Sequence, residues 1–260
     1  MIQSVSTDPI PSNPPIPDDF EHDLSLTGKL LADLRPPEFR KGKRLNWKSW
    51  QPHRASIESR VLSVFGKFPR RPARSKVRWG HSKKLPLYTR HEVSFSGEKG
   101  EWISAFLLIP KKLEKPAPAM LCPHPTHIKG KSAGAIPGVA KDGFQYAWEL
   151  AERGYITLVW DHFTLPPRAP KGSEYDSREF ERKNPEWSPL GKALWDTMRS
   201  LDFLETLPEV DPKRIGSMGL SLGGNTTFFT SAFDARIRAA VCACGCSTFR
   251  SDRNLRYNWV

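Results

Sequence analysis

With 260 residues and 38% hydrophobic content, the chain can form one large α/β domain with a substantial core, whereas two full domains would be cramped. Its net charge of +12 is concentrated: residues 35–84 hold 16 Lys and Arg against 2 acids, and the remainder is slightly acidic, which argues against nucleic acid as the partner of the main domain. No run approaches the roughly 20 apolar residues of a membrane span, and the start lacks the basic and apolar blocks of a secretory leader, so a cytoplasmic protein without a membrane segment is expected.

Residues 1–22 read as a disordered arm, because Pro9, Pro11, Pro14, Pro15 and Pro17 leave little freedom for helix or ladder. A basic accessory segment over 23–87 follows, helix-compatible at 20–34 and at 50–65, where Ile57, Val61, Leu62 and Phe65 recur at helical spacing. From residue 88 the pattern changes to strands. Segments 88–96 and 102–109 flank the 97–100 turn as a hairpin, and 117–122 is a short apolar strand. Helical spacing over 144–153 stops at Gly154, and a β-rich run over 155–160 ends at Asp161. An amphipathic pattern covers 190–207, then a strand at 215–218, a helix from Gly223 to Phe233 and a strand at 237–244. Strands alternating with helices at this spacing predict a mostly parallel sheet with crossover helices over 88–260, with its ligand site at the carboxyl ends of the strands.

Cys242, Cys244 and Cys246 alternate, so they share one strand face and are poorly placed to bridge one another. With Cys122 they read as reduced, buried thiols, and a zinc site there would lack the usual two to four intervening residues.

The chemistry centres on Gly219-Leu220-Ser221-Leu222-Gly223. A strand precedes Ser221 and a helix follows it, the setting in which a tight turn presents a nucleophilic hydroxyl and its flanking residues must be nearly free of side chains. The Leu222 amide at the helix start then serves as one oxyanion donor. A second comes from the loop after residue 122, Pro123-His124-Pro125-Thr126-His127, where proline has no N–H and Thr126 is favoured over His127. His124 and His127 are pocket candidates with a structural role as the alternative. Asp161 and His162 are also pocket candidates, but neighbours in an extended segment point oppositely, so they do not address Ser221 together. Residues 163–189 are expected to form a cap or rim.

These features together, with Gly154-Tyr155 before Asp161, residues 210–216 before the serine and residues 234–241 after it, resemble the dienelactone hydrolase and acetyl xylan esterase-like branch of the α/β-hydrolases. The resemblance covers residues 88–260 and implies a serine hydrolase of small-molecule carboxylic esters that needs no metal or organic cofactor. It also implies that an acid and a histidine follow the serine. All seven histidines precede Ser221 and 39 residues follow it, so the expectation is a chain truncated before its last strands, inactive alone, with the base and acid beyond residue 260. Asp252 reads as a surface aspartate. The alternatives are a prolyl-oligopeptidase-like peptidase or amidase, and a non-catalytic protein that binds an acidic partner through residues 35–84.

Overall fold

The computed structural model describes residues 46–246, apart from 73–74, 99, 114–115 and 141–142. The arm expected over 1–22, the helical stretch at 20–34, the basic residues before Asn46 and Asp252 lie outside the described residues.

The chain enters through helix α1 (Trp47–Phe65) and then forms four strands, β1 (Val77–Lys84), β2 (Tyr88–Ser96), β3 (Trp102–Pro110) and β4 (Ala117–Leu121). Two short helices, α2 (Lys131–Ala135) and α3 (Tyr146–Glu152), lead to β5 (Ile156–Trp160). Helices α4 (Arg178–Lys183) and α5 (Pro189–Leu204), strand β6 (Val210–Leu220), helix α6 (Leu222–Phe233) and strand β7 (Ile237–Ala243) complete the described chain.

The strands lie in the order β1-β2-β3-β5-β4-β6-β7. The expected mostly parallel sheet is corrected to a mixed one: β1, β2, β3 and β5 pair antiparallel in succession, and β5, β4, β6 and β7 pair parallel. Short turns at 85–87 and 97–101 permit only antiparallel neighbours, and β1 extends that half by a strand beyond the anticipated hairpin. The direction switches at β5, whose five residues are all buried, as a strand covered on both faces requires.

Helices cover both faces. Leu201, Phe203 and Leu204 of α5 join Phe95, Leu107, Leu121, Leu158 and Ile215 in one core layer. Ala135 of α2 and Tyr146, Ala147 and Ala151 of α3 meet Phe106, Leu108 and Val159 in the other. The start of α5 is set by Ser188, whose Oγ accepts the Gly191 N–H at 3.1 Å, with Pro189 in the first turn; such a cap contributes about 1 kcal/mol. Among the described residues no helix is long and apolar enough to cross a membrane.

The cysteines depart from expectation. Cys122 is buried, but Cys242, Cys244 and Cys246 are exposed. Among the described strands β7 is outermost, and its residues from Arg238 to Cys242 are exposed on both faces, so alternation there does not separate inside from outside.

Candidate active site

Strand β6 ends at Leu220 and α6 begins at Leu222, so the whole reversal rests on Ser221. Ser221 has φ 55° and ψ −115°, a left-handed conformation that costs a non-glycine residue about 1–3 kcal/mol. Backbone bonds hold it there: its N–H donates to the Ala243 carbonyl at 3.0 Å, and its carbonyl accepts the Asn225 N–H at 2.8 Å. The flanking glycines are required by contact. A Cβ on Gly219 would lie 2.0 Å from the Gly223 carbonyl oxygen, and one on Gly223 would lie 1.9 Å from the Pro123 oxygen. The loop after β4 is therefore pressed against the first turn of α6, whose opening amides, Leu222's among them, have no intrahelical acceptor. Those amides and the helix dipole favour negative charge beside Ser221.

That loop is fixed from behind. Tyr146 of α3, 4% exposed, donates its hydroxyl hydrogen bond to the Pro123 carbonyl, and burial holds its phenol above the ordinary value. His124 is buried with both ring nitrogens engaged: Nδ1–H donates to the Pro125 carbonyl at 2.7 Å, and Nε2 accepts the His162 N–H at 3.2 Å. Burial lowers its pKa, against the opposing pull of the Pro125 carbonyl and Asp161. A neutral imidazole is what these two bonds require, so His124 joins the loop after β4 to the loop after β5. Thr126 brings a buried hydroxyl with no hydrogen-bond partner. His127 accepts the Lys129 N–H at Nδ1, at 3.1 Å, and its ring meets Phe144 edge-on.

Asp161 and His162 diverge, as extended neighbours must. The Asp161 carboxylate, 1% exposed, accepts from Ser104 Oγ at 2.6 Å, the Lys131 N–H at 2.8 Å and Lys131 Nζ at 2.5 Å. His162 turns instead to a narrow cleft lined by Pro123, His124, Trp160, Ala193, Asp196, Leu222 and Thr226. Its Nδ1 lies 2.8 Å from Thr164 Oγ1 and 3.3 Å from the Thr164 backbone nitrogen; because the backbone N–H can only donate, we assign the ring proton to Nε2. Burial, reinforced by His124, Arg168 and Lys192, holds its pKa well below the ordinary value. Among the described residues no side chain hydrogen-bonds the Ser221 hydroxyl.

Beneath the cleft lies a charged cluster that the sequence analysis did not anticipate. Lys192 of α5, 1% exposed, donates to Glu98 at 2.5 Å, to Asp196 at 2.7 Å and to Glu101. Arg168 donates to Asp196 and to the Asp161 carbonyl, at 2.7 and 2.8 Å, and pairs with Glu101. Three carboxylates thus face two cations. Burial and the Glu101 hydrogen bond push Glu98 up to about 7, while Arg168, Glu98 and Lys192 outweigh burial and hold Glu101 well below the carboxylate range. The three carboxylates lie close enough to share one ion, but Lys192 Nζ already bonds to all of them. Its only trace in the sequence is Lys192 and Asp196, four apart on the inward face of α5.

The 163–189 segment carries α4 and packs through its aromatic side chains: Phe163 meets Phe180 at 5.1 Å, and Phe180 meets Trp187 at 5.4 Å. The His162 ring lies 4.7 Å from that of Phe163 at the start of the segment.

A mixed sheet whose parallel half ends in a serine turn, covered by helices on both faces, is the fold of the α/β-hydrolase superfamily. Comparison with known proteins agrees. Residues 198–258 match the family described as BAAT / Acyl-CoA thioester hydrolase C terminal. YtaP of Bacillus subtilis (strain 168), provisionally named a hydrolase, is 32% identical over 148 residues, which are 54% of this chain and 47% of that protein. Among solved structures, a Bacteroides fragilis protein provisionally named an acetyl xylan esterase superposes with a TM-score of 0.68 at 20% identity, over 85% of this chain and 60% of its own. A glucuronoyl esterase from Solibacter usitatus gives 0.59 at 22% identity, over 76% of this chain and 59% of its own. The chain spans less than half the length of the curated relatives it matches.

Proposed function

We propose that this chain is the nucleophile-bearing part of a serine hydrolase of small-molecule carboxylic esters. In this reading Ser221 Oγ attacks the ester carbonyl as a base removes its proton, and the amides of Leu222 and Thr126 receive the oxyanion. The alcohol leaves with a proton, and water then releases the acid from the acyl-serine. Each amide donor is worth about 3–4 kcal/mol in the transition state. In this reading the base and its acid partner lie outside the described residues; in support, His124 is held by backbone on both sides, Asp161 is held by Lys131 and Ser104, and no described side chain hydrogen-bonds the Ser221 hydroxyl.

The observation that carries the reading is the backbone of Ser221, at φ 55° between two glycines that admit no Cβ; a serine in a merely connecting turn needs none of this. The named esterases that share the fold support the ester class. The test is fluorophosphonate labelling of the full-length protein with peptide mapping, beside turnover of short p-nitrophenyl esters and of prolyl and acyl amides. Ser221 is expected to carry the label, and Ser221→Ala to lower ester turnover at least about a thousandfold. A label elsewhere, or unchanged turnover in Ser221→Ala, overturns the reading; amide cleavage without ester cleavage replaces it by a peptidase.

A further inference from the structure

One helical turn beyond Ser221, Asn225 is 7% exposed and its backbone N–H bonds the Ser221 carbonyl at 2.8 Å. Its side-chain Nδ2 donates to the Gly245 carbonyl at 3.2 Å. That bond orients the amide, since a carbonyl can meet only the NH₂ end. The other end, Oδ1, is buried with no hydrogen-bond partner, a costly condition for a strong acceptor. Asn225 lines a narrow cleft between α5 and α6 together with Leu190, Ala193, Leu222 and His162. The first three offer no side-chain donor. Thr226, on the same wall, already donates its hydroxyl to the Leu222 carbonyl at 3.0 Å. His162 reaches this cleft with its Nδ1 occupied as an acceptor, which leaves Nε2–H as a donor.

A mostly apolar slot at the Leu222 turn is thus bordered by one residue with an unmet acceptor and one with a donor. A hydroxyl satisfies both at once; an ammonium group, which only donates, satisfies one, and an alkyl group neither. We infer that this cleft receives a hydroxyl carried by the ester substrate, with Asn225 Oδ1 accepting its hydrogen bond and His162 Nε2–H donating to its oxygen. Asn225 and His162 are then specificity-determining residues, and the inference rests on Ser221 being the nucleophile.

Binding and turnover separate the two ideas. The binding arm uses full-length Ser221→Ala protein and titrates methyl butyrate against methyl butyrates hydroxylated at carbon 2, 3 or 4, followed by NMR. At least one hydroxylated ester is expected to bind about tenfold more tightly than methyl butyrate. Adding Asn225→Leu is expected to abolish that margin, and Asn225→Asp, which keeps an acceptor, to preserve it. Should Asn225→Leu fail to fold, His162→Phe removes the donor instead and is expected to shrink the margin several-fold. Equal binding of all four esters would mean that water alone meets Asn225, and would overturn the inference. So would a margin that survives Asn225→Leu or, where that variant does not fold, His162→Phe. The turnover arm uses wild-type protein: a binding margin without any ester cleavage defeats the serine reading and leaves only a hydroxyl-binding cleft without a substrate role, whereas cleavage with no margin overturns this inference and leaves the serine reading intact.

Discussion

On the α6 side of Ser221 the rim is held by main chain against main chain: Gly219 against Gly223, Gly223 against Pro123, and Gly224 against Cys244. On the α5 side it is held by buried charge, with Lys192 and Arg168 gripping Glu98, Glu101 and Asp196. The first arrangement tolerates no added atom, because a backbone oxygen cannot rotate out of the way. The second tolerates substitution provided that charge and desolvation are removed together. Steric and electrostatic framing of one site should therefore fail in different ways.

The largest effect is expected at the steric side. Gly223→Ala places a methyl group on the Pro123 oxygen and should cost about 4 kcal/mol or more, read by urea denaturation, with no second substitution restoring it. Lys192→Met leaves three carboxylates to Arg168 alone and should cost about 3–5 kcal/mol. Combining Lys192→Met with Glu98→Gln and Asp196→Leu should recover most of that loss; a triple variant no better than the single one would erase the contrast between the two sides.

Glu98 sharpens the comparison by titration. Because burial and Glu101 raise it to about 7, the folded protein holds its proton more tightly than the unfolded chain does. Its contribution to stability is full below the ordinary carboxylate pKa and is lost as pH rises through 7. Glu98→Gln cannot lose a proton, so its Tm relative to wild type should rise by about 2–4 °C between pH 5 and pH 8; a constant difference would place the shared proton elsewhere. The smallest effect is expected at Arg71, whose side chain is 47% exposed and pairs with an Asp202 already bonded to Arg199 and Arg236. Arg71→Ala should change stability by less than about 1 kcal/mol.

What could be read in advance follows the same division. The serine turn is local, written in five consecutive residues, α5 announces itself by amphipathic spacing and α6 by following the turn, whereas the Ser188-Pro189 start of α5 emerges only in the structure. Strand β1 was hidden because Val77–Lys84 is almost wholly exposed, and an edge strand with charges on both faces has no alternation to detect. The antiparallel pairing of β3 with β5, Ala105 opposite Trp160, depends on contacts across some fifty residues and made the sheet mixed. The charged cluster is the extreme case, since its members come from positions 98, 101, 168, 192 and 196. Asn225 carries no sequence signal, because a polar residue in the first turns of a helix is ordinary until its burial and its unmet acceptor are known.

Phe65, at the end of α1, is 1% exposed and sits edge-on to Phe229 and Phe233 of α6. Its carbonyl accepts both the N–H and the hydroxyl of Ser188, at 3.1 Å each. One aromatic residue thus wedges the two helices that wall the cleft and completes the cap of one of them. Shortened versions of the protein that start at the sheet would leave that wedge behind, and a cleft lost in them would report a collapsed wall.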